Sequence, residues 1–201
     1  MEIVTFPLGE LQANSYLLIE DNECIIIDPA DDAAFLLEEL SRRNVKLKAM
    51  LATHGHFDHV MAAGEIHLSL EVPLFIFEED QFLLDRLDST AKHFLGYEPH
   101  IIKPTKVEYL NEGPMKIGEF AFEVIHTPGH TPGSACFYFS HVRTGHDLSL
   151  LFTGDTLFKD SIGDYSHRYS NKADLLDSIE KIRELARDAE MYPGHGESTL
   201  L

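Results

Sequence analysis

Short apolar runs separated by turn residues open the chain. Residues 3–8, 15–19 and 24–27 are such runs, with Glu20-Asp21-Asn22 between the last two, and they predict three β-strands in a meander. Asp28-Pro29 ends the third strand. The next stretch, AAFLLEELSRRN, follows Asp31-Asp32 and repeats Phe35, Leu36 and Leu40 at helical spacing, so a helix is predicted there. A strand over 47–53, a loop at HGHFDH, a helix over 60–70 and a strand over 72–77 complete a strand-helix-strand alternation. That alternation implies parallel pairing with helices lying on the sheet.

Residues 78–95 carry Phe82, Leu83, Leu87 and Phe94 among acids and stop at Gly96, which reads as one long amphipathic surface helix followed by a loop over 97–104. Strands are predicted at 107–110, 115–117, 120–125, 134–140 and 148–153, then a helix over 172–186 and a short strand at 190–192. Each half of the chain thus runs from strands to helix. The expected fold is α/β, a four-layer αβ/βα sandwich of two mixed β-sheets with helices on the outer faces, in a single domain over 1–201.

Composition narrows the partners. Sixteen Lys and Arg stand against 34 Asp and Glu, a formal net charge of −18. Such an excess repels phosphate backbones and anionic lipid, which argues against nucleic acid and membrane. MEIVTFPLGE has neither the basic start nor the apolar stretch of a signal peptide, and no run approaches the roughly 20 residues of a membrane span. Cys24 and Cys136 each sit in an apolar run, as buried thiols rather than a disulfide pair, and favour a reducing, cytoplasmic compartment.

The twelve histidines change the picture more. Thr53-His54-Gly55-His56-Phe57-Asp58-His59 places three imidazoles and a carboxylate between a predicted strand and a predicted helix. A solvated loop has no need of so many donor types; in a tight turn they can converge on a divalent ion. His126-Thr127-Pro128-Gly129-His130-Thr131-Pro132-Gly133 holds His130 between two stiff Pro-Gly turns, while His126 reads as a core histidine. Thr153-Gly154-Asp155 and Pro193-Gly194-His195-Gly196 are weak signals alone. All four spots lie just past the carboxyl end of a predicted strand, so they should gather along one edge. His67, His93, His100, His141 and His146 read as surface or core-edge residues, and Phe57 as a wedge beneath the cluster.

The ordered set THGHFDH, TPGHTPGS, FTGD and YPGHG, spread over nearly the whole chain, resembles the metallo-β-lactamase-fold superfamily and in particular its glyoxalase II-like hydrolases. The resemblance implies two divalent metal ions, most simply zinc, with iron and manganese as alternatives. His54, His56 and His130 would hold one, Asp58, His59 and His195 the other, and Asp155 would bridge them. It implies that a hydroxide bridging the ions attacks a thioester or related ester, with Asp58 orienting it as well as binding metal. Two ions, two carboxylates and a hydroxide leave about one positive charge, attractive to an anionic small-molecule thioester.

Two departures bear on the substrate. Only six residues follow His195, where the larger glyoxalase II enzymes have a helical domain that contacts glutathione, so a short form is expected. Asp164 stands where relatives usually carry an arginine, and His167 or Arg168 could replace that group. Tyr97 and His100, in the loop after the long helix, are further candidates for the substrate wall. The alternatives on the same scaffold are lactone hydrolysis and a persulfide dioxygenase using one iron on His54, His130 and Asp155.

Overall fold

The computed structural model describes residues 1–142 and 148–201; His146 lies outside the described residues, and so does the side chain of His141. Two six-stranded sheets carry the fold. The first orders β1 (Glu2–Leu8), β2 (Ala13–Glu20), β3 (Glu23–Ile27), β4 (Lys46–Leu51), β5 (Leu74–Ile76) and β6 (Val107–Tyr109) in sequence. The second runs β12 (Thr199–Leu200), β11 (Ala189–Pro193), β10 (Leu148–Gly154), β9 (Ala135–Val142), β8 (Phe120–His126) and β7 (Gly113–Ile117).

Strand periodicity explains the layering. Along β2, Leu17 faces one core and Leu18 the other; along β3, Ile26 opposes Ile25 and Ile27. In the second sheet Cys136 and Leu151 face outward, whereas Phe137, Leu150 and Phe152 face inward. The inward sets meet in a central core rich in phenylalanine, where Phe122, Phe139 and Phe152 make ring contacts. On one outer face α1 (Ala33–Arg43) and α3 (Ala63–Leu70) cover the first sheet through Leu36, Leu40 and Ile66. On the other, α6 (Lys172–Leu185) covers the second through Leu175, Ile179 and Ile182. The four-layer sandwich of two mixed sheets stands as expected.

Local elements differ from expectation in three places. HGHFDH is not all loop, because Phe57 opens a one-turn helix, α2 (Phe57–Val60), that carries Asp58 and His59. The predicted long helix over 78–95 is a 3-10 turn (Glu78–Asp80) followed by α4 (Gln81–Asp85) and α5 (Leu87–Leu95), broken at Arg86 with φ −106° and ψ 10°. The short β12 was not foreseen; two residues with one partner strand give too little pattern to read. No described helix is long and apolar enough to cross a membrane.

Strand direction decides where the loops fall. β3, β4 and β5 are mutually parallel. β10 and β11 are parallel, and β9 runs against both β8 and β10, so β8, β10 and β11 share one direction. The amide of Ala135 donates to Thr53 O at 2.7 Å, and that of Asn14 to Gly194 O at 2.7 Å. These bonds join the two sheets along one rim, the rim onto which the carboxyl ends of β4, β8, β10 and β11 open.

Candidate metal centre

Each histidine-bearing segment reaches that rim from a different strand. His54 and His56 follow β4, His130 follows β8, Asp155 follows β10 and His195 follows β11, while one turn of α2 swings Asp58 and His59 back toward them. Gly154 turns the chain into Asp155 through a left-handed conformation, φ +49°, packed so closely on Thr53 that a Cβ would lie 2.3 Å from its Oγ1.

The donors fall into overlapping groups. His54 Nε2 and His130 Nε2 lie 3.0 and 3.1 Å from His56 Nδ1. Beside them, His59 Nε2 and His195 Nε2 are 3.3 Å apart, and Asp58 Oδ2 is 3.4 Å from His195 Nε2 and 3.7 Å from His59 Nε2. Asp155 spans the two: Oδ1 is 3.6 Å from His59 Nε2, and Oδ2 is 3.7 Å from both His130 Nε2 and His195 Nε2. Three groups have donors close enough to share an ion: His54, His56 and His130; His54, His59 and Asp155; and Asp58, His59 and His195.

Outer partners set the tautomers. His130 Nδ1 faces the carbonyl of Asp164 at 2.7 Å, and His195 Nδ1 that of Leu11 at 3.1 Å. A carbonyl only accepts, so both Nδ1 atoms carry the proton and both Nε2 lone pairs aim inward. His59 Nδ1 donates to Asp28 Oδ2 at 2.9 Å, which fixes the ring and turns Nε2 inward. Burial, then the neighbouring imidazoles, hold His54 and His56 well below the ordinary histidine pKa, so they are neutral. Burial works against charge on Asp58 too, yet His59, His56 and His195 keep its carboxyl below the usual range. Burial likewise opposes charge on His59, but Asp58, Asp155 and Asp28 push it up to about 10.

This donor set fits a metal. Asp155 Oδ1 is buried without a hydrogen-bond partner among the described residues. His54 Nε2 and His130 Nε2 both face His56 Nδ1, which has at most one proton to give, so at least one inward lone pair is left to a cation, and nitrogen with carboxylate oxygen suits zinc, iron and related divalent ions.

Four supporting groups escaped the sequence reading. Asp28, wholly buried, accepts from Thr53 N and Thr53 Oγ1, each at 2.7 Å, besides holding His59. Its sequence signal was only that of a strand breaker. Asp80, also wholly buried, lies in an acidic triplet with nothing to separate it from surface acids. Tyr169 Oη sits 2.7 Å from His56 Nε2, and Asn14 Nδ2 donates at 3.0 Å to both Pro193 O and Gly196 O, bracketing His195.

A cleft of about 220 Å³ opens on the donors His56, Asp58, His130 and Asp155, lined also by Leu11, Phe57, Phe94, Asp164 and His167. Phe57 is 4% exposed and stacks on Phe94 with ring centroids 5.9 Å apart, so it is both wedge and wall. Of the four residues expected at the substrate, His167 lines the cleft. Tyr97 lies on a neighbouring depression behind Phe57 and Asp58, while His100 and Arg168 are exposed and line neither. The larger hollow along β7 and β8 shares no residue with the donor cluster. His126 is a satisfied histidine outside the cluster, stacked on Phe77 with Nε2 donating to Pro132 O at 2.9 Å.

Known proteins resemble the chain over nearly its whole length. The model of the metallo-beta-lactamase superfamily matches residues 8–195. The chain is 34% identical to the hydroxyacylglutathione hydrolase GloC of Haemophilus influenzae over 206 residues, 100% of this chain and 93% of the relative. It superposes on the BLEG-1 B3 metallo-beta-lactamase with a TM-score of 0.86 and 34% identity, covering 99% of this chain and 94% of that one. With TTHA1623 in a di-iron-bound form the TM-score is 0.85 at 33% identity, covering 100% and 94%.

Close packing behind the donors gives a test. A Cβ on Gly194 would lie 2.2 Å from Asp155 Oδ1 and 2.8 Å from His59 Cε1. Gly194→Ala therefore displaces the carboxylate shared between the groups, and elemental analysis of the purified variant should show bound metal reduced by half or more, with a native circular dichroism spectrum.

Proposed function

The chain belongs to the metallo-beta-lactamase superfamily and carries its His/Asp metal-binding cluster, and from that premise we propose that it is a dinuclear metallohydrolase acting on a small-molecule thioester. One observation carries the reading: two complete donor groups flank a shared carboxylate at the floor of a cleft. His54, His56 and His130 would hold one ion, Asp58, His59 and His195 the other, with Asp155 between the two groups. Zinc suits the donors; the di-iron form of TTHA1623 makes iron the first alternative to test, then manganese.

When bound, the two ions supply a water ionised near neutral pH and a Lewis acid for the substrate carbonyl. The chain's own groups do the positioning. Asp58, ionised and on the cleft wall, accepts a hydrogen bond from the attacking water and so fixes its approach. Leu11, Phe57 and Phe94 shed water around the acyl group, and His167 adds a polar ring to the same cleft. Water adds across the C–S bond, giving a carboxylate, a thiol and a proton. GloC, named for hydroxyacylglutathione, supports the thioester class.

A thioester panel, assayed on zinc-, iron- and manganese-loaded protein before and after chelation, tests the proposal. The expected result is two ions per chain, oxygen-independent thiol release and loss of turnover on chelation. One iron per chain with oxygen consumed on a persulfide, or turnover of lactones alone, would replace it with another chemistry.

Two narrower outcomes follow. No Lys or Arg lines the cleft among the described residues, and Asp164 presents a carboxylate held by Ser166 N and Oγ, both at 2.8 Å. Asp164→Arg reverses that charge and leaves intact the backbone carbonyl that His130 uses, so KM for an anionic thioester should fall on the order of fivefold with kcat little changed. His59, raised to about 10 in the metal-free protein, carries at neutral pH a proton on the nitrogen needed for metal. Loading at pH 7 should then release at least one proton per chain, and affinity should rise with pH up to about 10; a lightly buffered titration reads both.

A further inference from the structure

Asp80 closes the 3-10 turn after β5, carries no sequence mark of function and touches none of the metal donors, yet its buried carboxylate ties together the two loops that hold one whole donor group. Oδ2 accepts from Gly55 N at 2.8 Å and from Thr131 Oγ1 at 2.7 Å; Oδ1 accepts from Gly133 N at 2.7 Å. Gly55 lies between His54 and His56, and Thr131 directly follows His130. Thr131 is in turn braced by Ser134, whose Oγ accepts from Thr131 N at 3.0 Å and lies 2.8 Å from Thr131 Oγ1.

The packing allows no slack. A Cβ on Gly133 would lie 2.7 Å from Asp80 Cγ, so the His130 loop rests directly on the carboxylate. Three donors converge on two oxygens that only accept. An amide in the same place would turn an N–H toward at least one of them and leave two buried donors opposed. The other donor group lies outside this clamp: Asp58 and His59 ride on α2, with His59 held by Asp28, and His195 is held by Leu11 O.

Resting on the dinuclear reading above, we propose that Asp80 is a positioning residue for one of the two metal sites, the His54, His56 and His130 site, and that the other site does not depend on it. Its role is to fix the spacing of two loops before metal arrives, so that three imidazole nitrogens already stand within 3.0 to 3.1 Å of their neighbours. Outer partners of this kind set metal affinity by about ten- to a hundredfold.

The test compares wild type, Asp80→Asn and Leu36→Ala, a core truncation under α1 that loosens the fold away from the rim. Each is loaded in metal-buffered zinc, and stoichiometry, the two dissociation constants and the number of histidines per zinc by X-ray absorption are measured. For Asp80→Asn the expected result is one dissociation constant raised about ten- to a hundredfold, near one zinc per chain at a free-metal level that gives wild type two, and histidines per zinc falling toward two. Two ions bound within twofold of wild type would overturn the proposal, as would equal weakening of both ions matching Leu36→Ala. If Asp80→Asn fails to fold, Thr131→Val removes a single donor, and it must show the same one-sided loss at smaller size or the proposal fails. A wild type that binds no zinc, iron or manganese overturns the dinuclear reading itself, before any variant is compared.

Discussion

Five imidazoles and two carboxylates share one small volume at the rim of the sandwich, and their inward lone pairs repel unless positive charge lies among them. That constraint governs the surrounding structure. Without an ion, a proton on His59 offsets part of the repulsion, held there by three carboxylates against the cost of burial. Asp155 Oδ1 still lacks a hydrogen-bond partner among the described residues. The fold must therefore hold this arrangement from behind, through groups that never meet the ion.

Both sheets contribute to that support. Were β8, β10 and β11 not co-directional, their loops would open on opposite ends and His130, Asp155 and His195 could not meet. The central phenylalanine core and the backbone bonds from Ala135 to Thr53 and from Asn14 to Gly194 fix the two sheets against each other at this edge. Behind the loops the supporting bonds are local and divided. Asp28 serves His59 and Thr53, Asp80 the loops around Gly55 and Gly133, and Asn14 the turn around His195. Rigid strands, rather than the loops alone, thus define where the donors stand.

Much of this was legible in the sequence because period-2 patterning and histidine spacing are local signals. The meander, the strand-helix-strand alternation, the αβ/βα layering and the dense cluster from His54 to His59 could be read from neighbours in the chain, whereas Asp155 and His195 are weak signals alone and join the set only through the resemblance carried by the four motifs together. What escaped was set by distance or by brevity. Asp28 and Asp80 owe their burial to partners 25 or more residues away, so each looks locally like a turn or surface acid. α2 is a single turn, too short for periodicity to register, and the break at Arg86 interrupts a pattern that stays amphipathic on both sides. Tyr97 and His100 are suggested by their place in the loop after the long helix, and Arg168 by the arginine absent at Asp164, and neither signal determines which side of a loop faces the cleft.

The buried acids also alter the electrostatic argument for the substrate. Counting only Asp58 and Asp155 against two divalent ions and a hydroxide leaves the site slightly positive, as the sequence alone suggests. Asp28, hydrogen-bonded to His59 at 2.9 Å, adds a negative charge at close range and brings that sum to about zero. Asp164, on the cleft wall, tilts the mouth further toward negative, and the overall charge of −18 supplies no compensating field. On the proposed function, an anionic thioester would thus be drawn in less by long-range attraction than by contact, through its carbonyl at the donor cluster and its acyl group against Leu11, Phe57 and Phe94. Selectivity in such a site rests on the shape and polarity of the cleft wall, where Asp164 is, among the described residues, the carboxylate outside the donor groups.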